Sequence, residues 1–331
     1  MITRRKVLLG FGLGTFSLAF GSLAQQPKVA RIGILSARSR STPANPDPYF
    51  GSFVQGMREL GYVEGKNLVI EWRYADGNYE RLPALAVELV SLKVDVIVSH
   101  TTPGTQALQQ AKGTIPIVTT SVSDPIASGF ATSLARPDRN ITGLSIMTVD
   151  LSAKQLELVK IMLPTLSRIA VLINPGISFH ATVLKNVQSA AQTFGMQVVP
   201  AQARTLQEIE PAFEMMVRER VNAVIVPADS FFTQERRQIA DVAIRHRIAT
   251  MSVDPFLNVT AGGLMGYGAN VAEFYRRAAI FVDKILKGAK PADLPIEQPT
   301  TFHLAINRRT AKALGITIPR ELLVRADEVI E

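Results

Sequence analysis

From residue 29 onwards, short apolar runs alternate with amphipathic stretches. Residues 29–35 predict a strand, ended by a loop rich in Ser, Arg and Pro over 36–48. A helical pattern over 49–60 closes at Gly61, a residue suited to end a helix. Residues 68–74 predict a second strand, and Leu82, Leu85, Leu89 and Leu92 then mark one helix face. Residues 94–98 are apolar at nearly every position, as expected of a strand buried on both faces. A helix over 104–112 and a strand over 115–119 follow.

The second half repeats this order. Residues 168–173 match the first strand, a helix over 181–194 ends at Gly195, and 196–200 predict the next strand. A helix over 209–220 precedes the apolar run 221–226, and the run 248–255 parallels 117–125. Asp254 follows Asp124 by 130 positions, and each precedes a proline. Such spacing predicts two lobes of one topology, not a solenoid with a period of roughly 20–50 residues. Strands alternating with helices make each lobe a doubly wound parallel α/β sheet, with ligands bound beyond the carboxyl ends of the strands. Facing lobes joined by a multi-strand hinge would close over that cleft. The expected division is 28–144 plus 256–290 for the first lobe and 145–255 plus 291–331 for the second. In it, a long helix over 271–286 and a connector over 288–299 precede a late strand over 301–306.

Residues 1–24 read as an export signal. Arg4, Arg5 and Lys6 precede an uncharged stretch over 7–27, diluted by Gly10, Gly12, Gly14 and Gly21, and Ser22-Leu23-Ala24 suits cleavage after Ala24. The paired arginines and weak apolar region favour the twin-arginine route; the general secretory route and an uncleaved anchor are the alternatives. The formal charge of +8 includes these three basic residues, and the remaining charge is scattered, so no nucleic-acid partner is expected. With no cysteine in the chain, disulfides, thiolate metal sites, cysteine nucleophiles and a cysteine-linked lipid anchor are excluded.

Strand ends carry the candidate chemistry: Ser36, Thr101, Thr102, Thr105, Ser121, Ser123, Asp124, Asn174, Asp229, Ser230 and Asp254. Hydroxyls and helix N-termini favour a carboxylate, and an uncovered aspartate would hold an ammonium, so the set suits an α-amino acid or similar metabolite. Capping and turn formation are the competing roles for these residues. Tyr49, Phe50, Phe179, Phe231, Phe232, Phe256 and Tyr267 are candidate pocket aromatics, and His100, directly after a strand, is a candidate contact. No phosphate-binding glycine loop, nucleophile elbow or histidine ligand spacing occurs, so no cofactor, metal site or enzymatic activity is expected.

The stretch 58–68 (RELGYVEGKNL), followed by 70–74 (IEWRY), resembles ABC transporter substrate-binding proteins that include the tryptophan/tyrosine-type binders. Further likeness runs through 81–98, 116–118, 133–137 (SLARP), 140–145 (NITGLS) and 285–328, nearly all of 29–331. The resemblance implies a type I periplasmic-binding fold and a non-enzymatic protein, expected to be monomeric, that delivers a small polar solute, with an aromatic amino acid as the candidate, to an inner-membrane permease. Without a lipobox cysteine, it implies a freely diffusing periplasmic protein of a Gram-negative cell. A membrane-tethered ligand-sensing domain and an enzyme on a similar two-lobe fold are the alternative readings.

Overall fold

The computed structural model describes residues 29–42 and 47–331; the expected export signal lies outside them. The first sheet contains β1 (Ala30–Ser36), β2 (Leu68–Tyr74), β3 (Val96–Ser99), β4 (Ile117–Val122) and β5 (Ile141–Ser145). The second contains β6 (Arg168–Ile173), β7 (Gln197–Gln202), β8 (Ala223–Val226), β9 (Ala249–Ser252) and β10 (Met265–Gly268). Their spatial orders, β2-β1-β3-β4-β5 and β7-β6-β8-β9-β10, are the same topology written twice. Three short strands complete the sheets. β11 (Ile296–Glu297) extends the first beside β5, while β12 (His303–Asn307) and β13 (Glu328–Ile330) extend the second beyond β10. All pairings are parallel except β10 with β12.

Central strands are apolar throughout because helices cover both faces of each sheet. β3 and β8 are buried at every position. In the first lobe, one core layer joins Ile32, Ile34, Val96 and Val98 to Phe53, Met57 and Tyr275, and the other joins Leu35 and Ile97 to Leu85, Leu89 and Leu108. The second lobe repeats the arrangement with layers on both faces.

Sheet membership corrects the expected lobe division. β10 lies within 256–290 yet belongs to the second sheet, whereas β11 lies within 291–331 yet belongs to the first. The helix Val271–Leu286 does pack on the first lobe, against Pro48–Glu59. A Cβ at Gly56 would stand 2.7 Å from the carbonyl of Arg276, so glycine permits this close crossing. The chain therefore changes lobe three times among the described residues: after β5, after β10 and after β11. Met147, at the first crossing, has φ of 52° and turns the chain into the helix Thr148–Met162. The two-residue β11 escapes the periodicity argument, which needs more than two or three residues to register.

Candidate functional site

The carboxyl ends of the two sheets face each other and enclose a cavity of about 70 Å³, room for several waters. From the first lobe come Arg38 after β1, Tyr49 near the start of the helix Pro48–Glu59, and Tyr79. His100, Thr101 and Thr102 follow β3, Ser121 and Ser123 end β4, and Tyr275 arrives from the helix Val271–Leu286. The second lobe supplies Phe179 after β6, Asp229, Ser230 and Phe232 after β8, and Asp254 and Asn258 after β9.

Arg38 is buried, at 8% exposure. Its Nε donates to Asp47 at 2.8 Å, and its guanidinium lies 5.0 Å from the Tyr49 ring centre and 5.6 Å from that of Phe50. Asp47 meanwhile caps the helix it precedes, accepting from the amides of Tyr49 and Phe50 at 2.9 and 3.1 Å. One carboxylate thus fixes both the cation and the helix that carries Tyr49.

Four polar contacts cross between the lobes at the cavity. The Tyr79 hydroxyl donates to Asp229 Oδ1 at 3.2 Å and accepts from the Ser230 amide at 3.0 Å. His100 Nε2 lies 3.0 Å from Ser230 Oγ, and the Tyr49 hydroxyl donates to Asp254 Oδ2. Burial, then the Arg38 charge, holds His100 well below its ordinary 6.5, so the ring is neutral. Its Nδ1 faces the Leu35 carbonyl at 3.4 Å, which leaves Nε2 to accept from Ser230. Burial, then the Asp229 charge, keeps the Tyr79 phenol protonated well above 10. Burial also raises Asp254 to about 6, against the amides of Leu257 and Phe256 and the Arg38 charge, which lower it.

Of the residues singled out from sequence, Tyr49, His100, Thr101, Thr102, Ser121, Ser123, Phe179, Asp229, Ser230, Phe232 and Asp254 line the cavity. Asp229 Oδ1 accepts from the amides of Phe231 and Phe232, and Oδ2 from Asn174 Nδ2 at 3.0 Å. Asn174 thus holds Asp229 from behind and does not reach the cavity wall. Ser36 is turned onto Arg38, its Oγ accepting from the Arg38 amide at 3.1 Å. Thr105 bonds Ser99 and the Thr101 carbonyl, inside its own helix turn. Asp124 caps its turn through the amides of Ile126 and Ala127 and does not line the cavity. Phe231 enters the second-lobe core and its neighbour Phe232 faces the cavity; Tyr267 packs on Phe302.

Arg38 and Tyr79 escaped the sequence reading, and so did Tyr275, which is 237 positions from Arg38 yet lies against it. An arginine two residues after the first strand was the only local signal for this cluster. Among the described residues no group of three or more His, Asp or Glu is placed to hold a metal, and no helix is long and apolar enough to cross a membrane.

The family described as ABC transporter substrate binding protein matches residues 42–330. A curated tyrosine-binding protein of Clostridioides difficile is 27% identical over 265 residues, covering 80% of this chain and 75% of the relative. A Streptococcus pneumonia ABC domain solved with L-Trp is 26% identical, with a TM-score of 0.82 over 91% of this chain and 99% of that one. A ligand-free, open substrate-binding protein of Clostridium difficile, 27% identical at the same coverage, has a TM-score of only 0.63. In the present structure the two lobes touch across the cavity through the contacts described above.

Proposed function

Because the chain belongs to the family of ABC transporter substrate binding proteins, we propose that it captures an aromatic α-amino acid between its lobes and hands it to a permease. The observation that carries this is the opposition of chemistries across one cavity. Thr102 and Ser123 of the first lobe face Asp229 and Asp254 of the second, with Tyr49, Phe179, Phe232 and Tyr275 between them.

In this reading the solute carboxylate meets the Thr102 and Ser123 hydroxyls at the start of the helix Thr102–Gln110, where the helix dipole favours an anion. The ammonium takes the Asp254 oxygen that the Tyr49 hydroxyl holds in the structure, forming a charge-assisted bond in its place. Opening of the cleft admits the solute, and the walls re-form around it. Binding the closed form better than the open one is what shifts the equilibrium and presents a closed protein to the permease. The likeness to the tyrosine-binding protein and to the L-Trp complex supports an aromatic solute.

The mature protein is proposed to be a periplasmic monomer beginning at Gln25, exported by the twin-arginine route. Amino-terminal sequencing of the secreted protein checks that start.

Thermal melts and calorimetry with L-tyrosine, L-tryptophan, tyramine and 4-hydroxyphenylpropionate test the solute class. The two amino acids should stabilise the protein, by about 2.7 kcal/mol at a hundred times Kd. The amine and acid analogues, each lacking one charged group, should bind far more weakly. Equal binding of the analogues, or no stabilisation by either amino acid, would refute the reading.

A further inference from the structure

Four buried side-chain polar atoms lack a hydrogen-bond partner among the described residues: Thr120 Oγ1, Ser145 Oγ, Thr148 Oγ1 and Asn258 Oδ1. Of these residues only Asn258 lines the interlobe cavity. It also lines a second pocket of about 20 Å³ behind Phe232, where Arg236, Thr250 and Ser252 form the far wall. Phe232 and Asn258 are the residues common to both spaces, so together they form the partition between them.

We propose that Asn258 is the specificity-determining residue of the site, accepting a hydrogen bond from an N–H or O–H at the distal end of the solute's side chain. The inference rests on the reading of the solute as an aromatic amino acid and narrows it to those carrying a ring donor, a phenol or an indole, over plain phenyl. A buried acceptor without a partner carries an uncompensated desolvation penalty, which a donor arriving with the solute removes. A phenyl ring leaves the penalty in place, which is how sites built for a donor reject analogues lacking one.

The position of Asn258 supports this. Asp254 caps the turn that carries it, accepting from the Phe256 and Leu257 amides at 3.0 and 2.9 Å. The Asn258 carbonyl accepts from the Gly263 amide at 3.0 Å, which fixes the backbone. The proposed ammonium site and the proposed ring-donor site therefore belong to one short segment, and a solute that engages Asp254 has its side chain directed along that segment past Phe232. Nearby, Thr250 Oγ1 accepts from the Leu264 amide and Ser252 Oγ donates to the Asp254 carbonyl.

Calorimetry on the wild-type protein with L-tyrosine, L-tryptophan and L-phenylalanine, repeated on Asn258→Leu and Asn258→Asp, tests the assignment. The wild type should bind at least one of the two donor-bearing amino acids about 10-fold or more tighter than phenylalanine. Asn258→Leu should abolish that preference, bringing the affinity for the donor-bearing amino acid down to that for phenylalanine. Asn258→Asp, which retains an acceptor of the same shape, should keep the preference. Equal wild-type affinity for all three overturns the role of Asn258 and leaves the aromatic amino-acid reading standing. The role is equally overturned if Asn258→Leu weakens all three alike. If none of the three binds, the functional reading itself fails, and this inference with it.

Discussion

Replacing Asp254 by Asn probes what closing the cleft costs in the absence of solute. In the closed arrangement the residue is 6% exposed, and burial raises its carboxyl from 3.8 to about 6. A rise of about two units corresponds to about 3 kcal/mol between the charged and neutral forms. An open cleft returns the carboxyl to water and to its ordinary value, so this difference falls on the closing step. The closed form binds the proton more tightly, and lowering the pH therefore favours closure. Closure is easiest below about pH 4, where both forms are protonated, and the penalty grows through the window up to about 6, above which it is complete. Asp254→Asn carries no charge and keeps an acceptor for the Phe256 and Leu257 amides. At pH 7.5 its closed population, relative to the open one, should exceed that of the wild type by on the order of 100-fold. Small-angle scattering of the solute-free proteins at pH 5 and 7.5 reads this out. The wild type should be more extended at pH 7.5 than at pH 5, and the variant compact at both. A wild-type radius of gyration that does not change with pH, or a variant that follows the same pH dependence, would refute the reasoning.

Tyr79→Phe removes the hydroxyl that bridges Asp229 and the Ser230 amide across the cleft. It should weaken solute binding by about 1–1.5 kcal/mol, chiefly through faster release, as stopped-flow fluorescence of the single tryptophan, Trp72, would report. Arg38→Ala leaves Asp47 buried without its cation, in a pair whose side chains are 10% and 9% exposed. Urea denaturation should show a loss of about 3–5 kcal/mol, and an unchanged midpoint would mean that the pair contributes little.

Asp124 and Asp254 show how far one pattern reaches. Both precede a proline at matching strand ends, and both accept from the amides two and three residues on. Only Asp254 lies under Tyr49, buried in the cavity between the lobes. Thr102 and Asp229 could be read from sequence since position at a strand's carboxyl end is a local property. The aromatic neighbours Phe231 and Phe232 both pack into the second-lobe core, and only Phe232 also reaches the cavity, because successive helical residues point in different directions.

Periodicity, turn residues and the doubled pattern were enough to determine a doubly wound α/β chain with two like lobes, because these features act over a few residues at a time. The lobe to which β10 and β11 belong was decided by tertiary pairing, since a strand of two to four residues carries no mark of its partner. The cluster of Arg38, Tyr49, Tyr79 and Tyr275 was decided there too. It gathers residues from across the first lobe and sets them against Asp229, Ser230 and Asp254 of the second. Burial and charge at such a meeting point depend on distances through space, which separation along the chain does not encode.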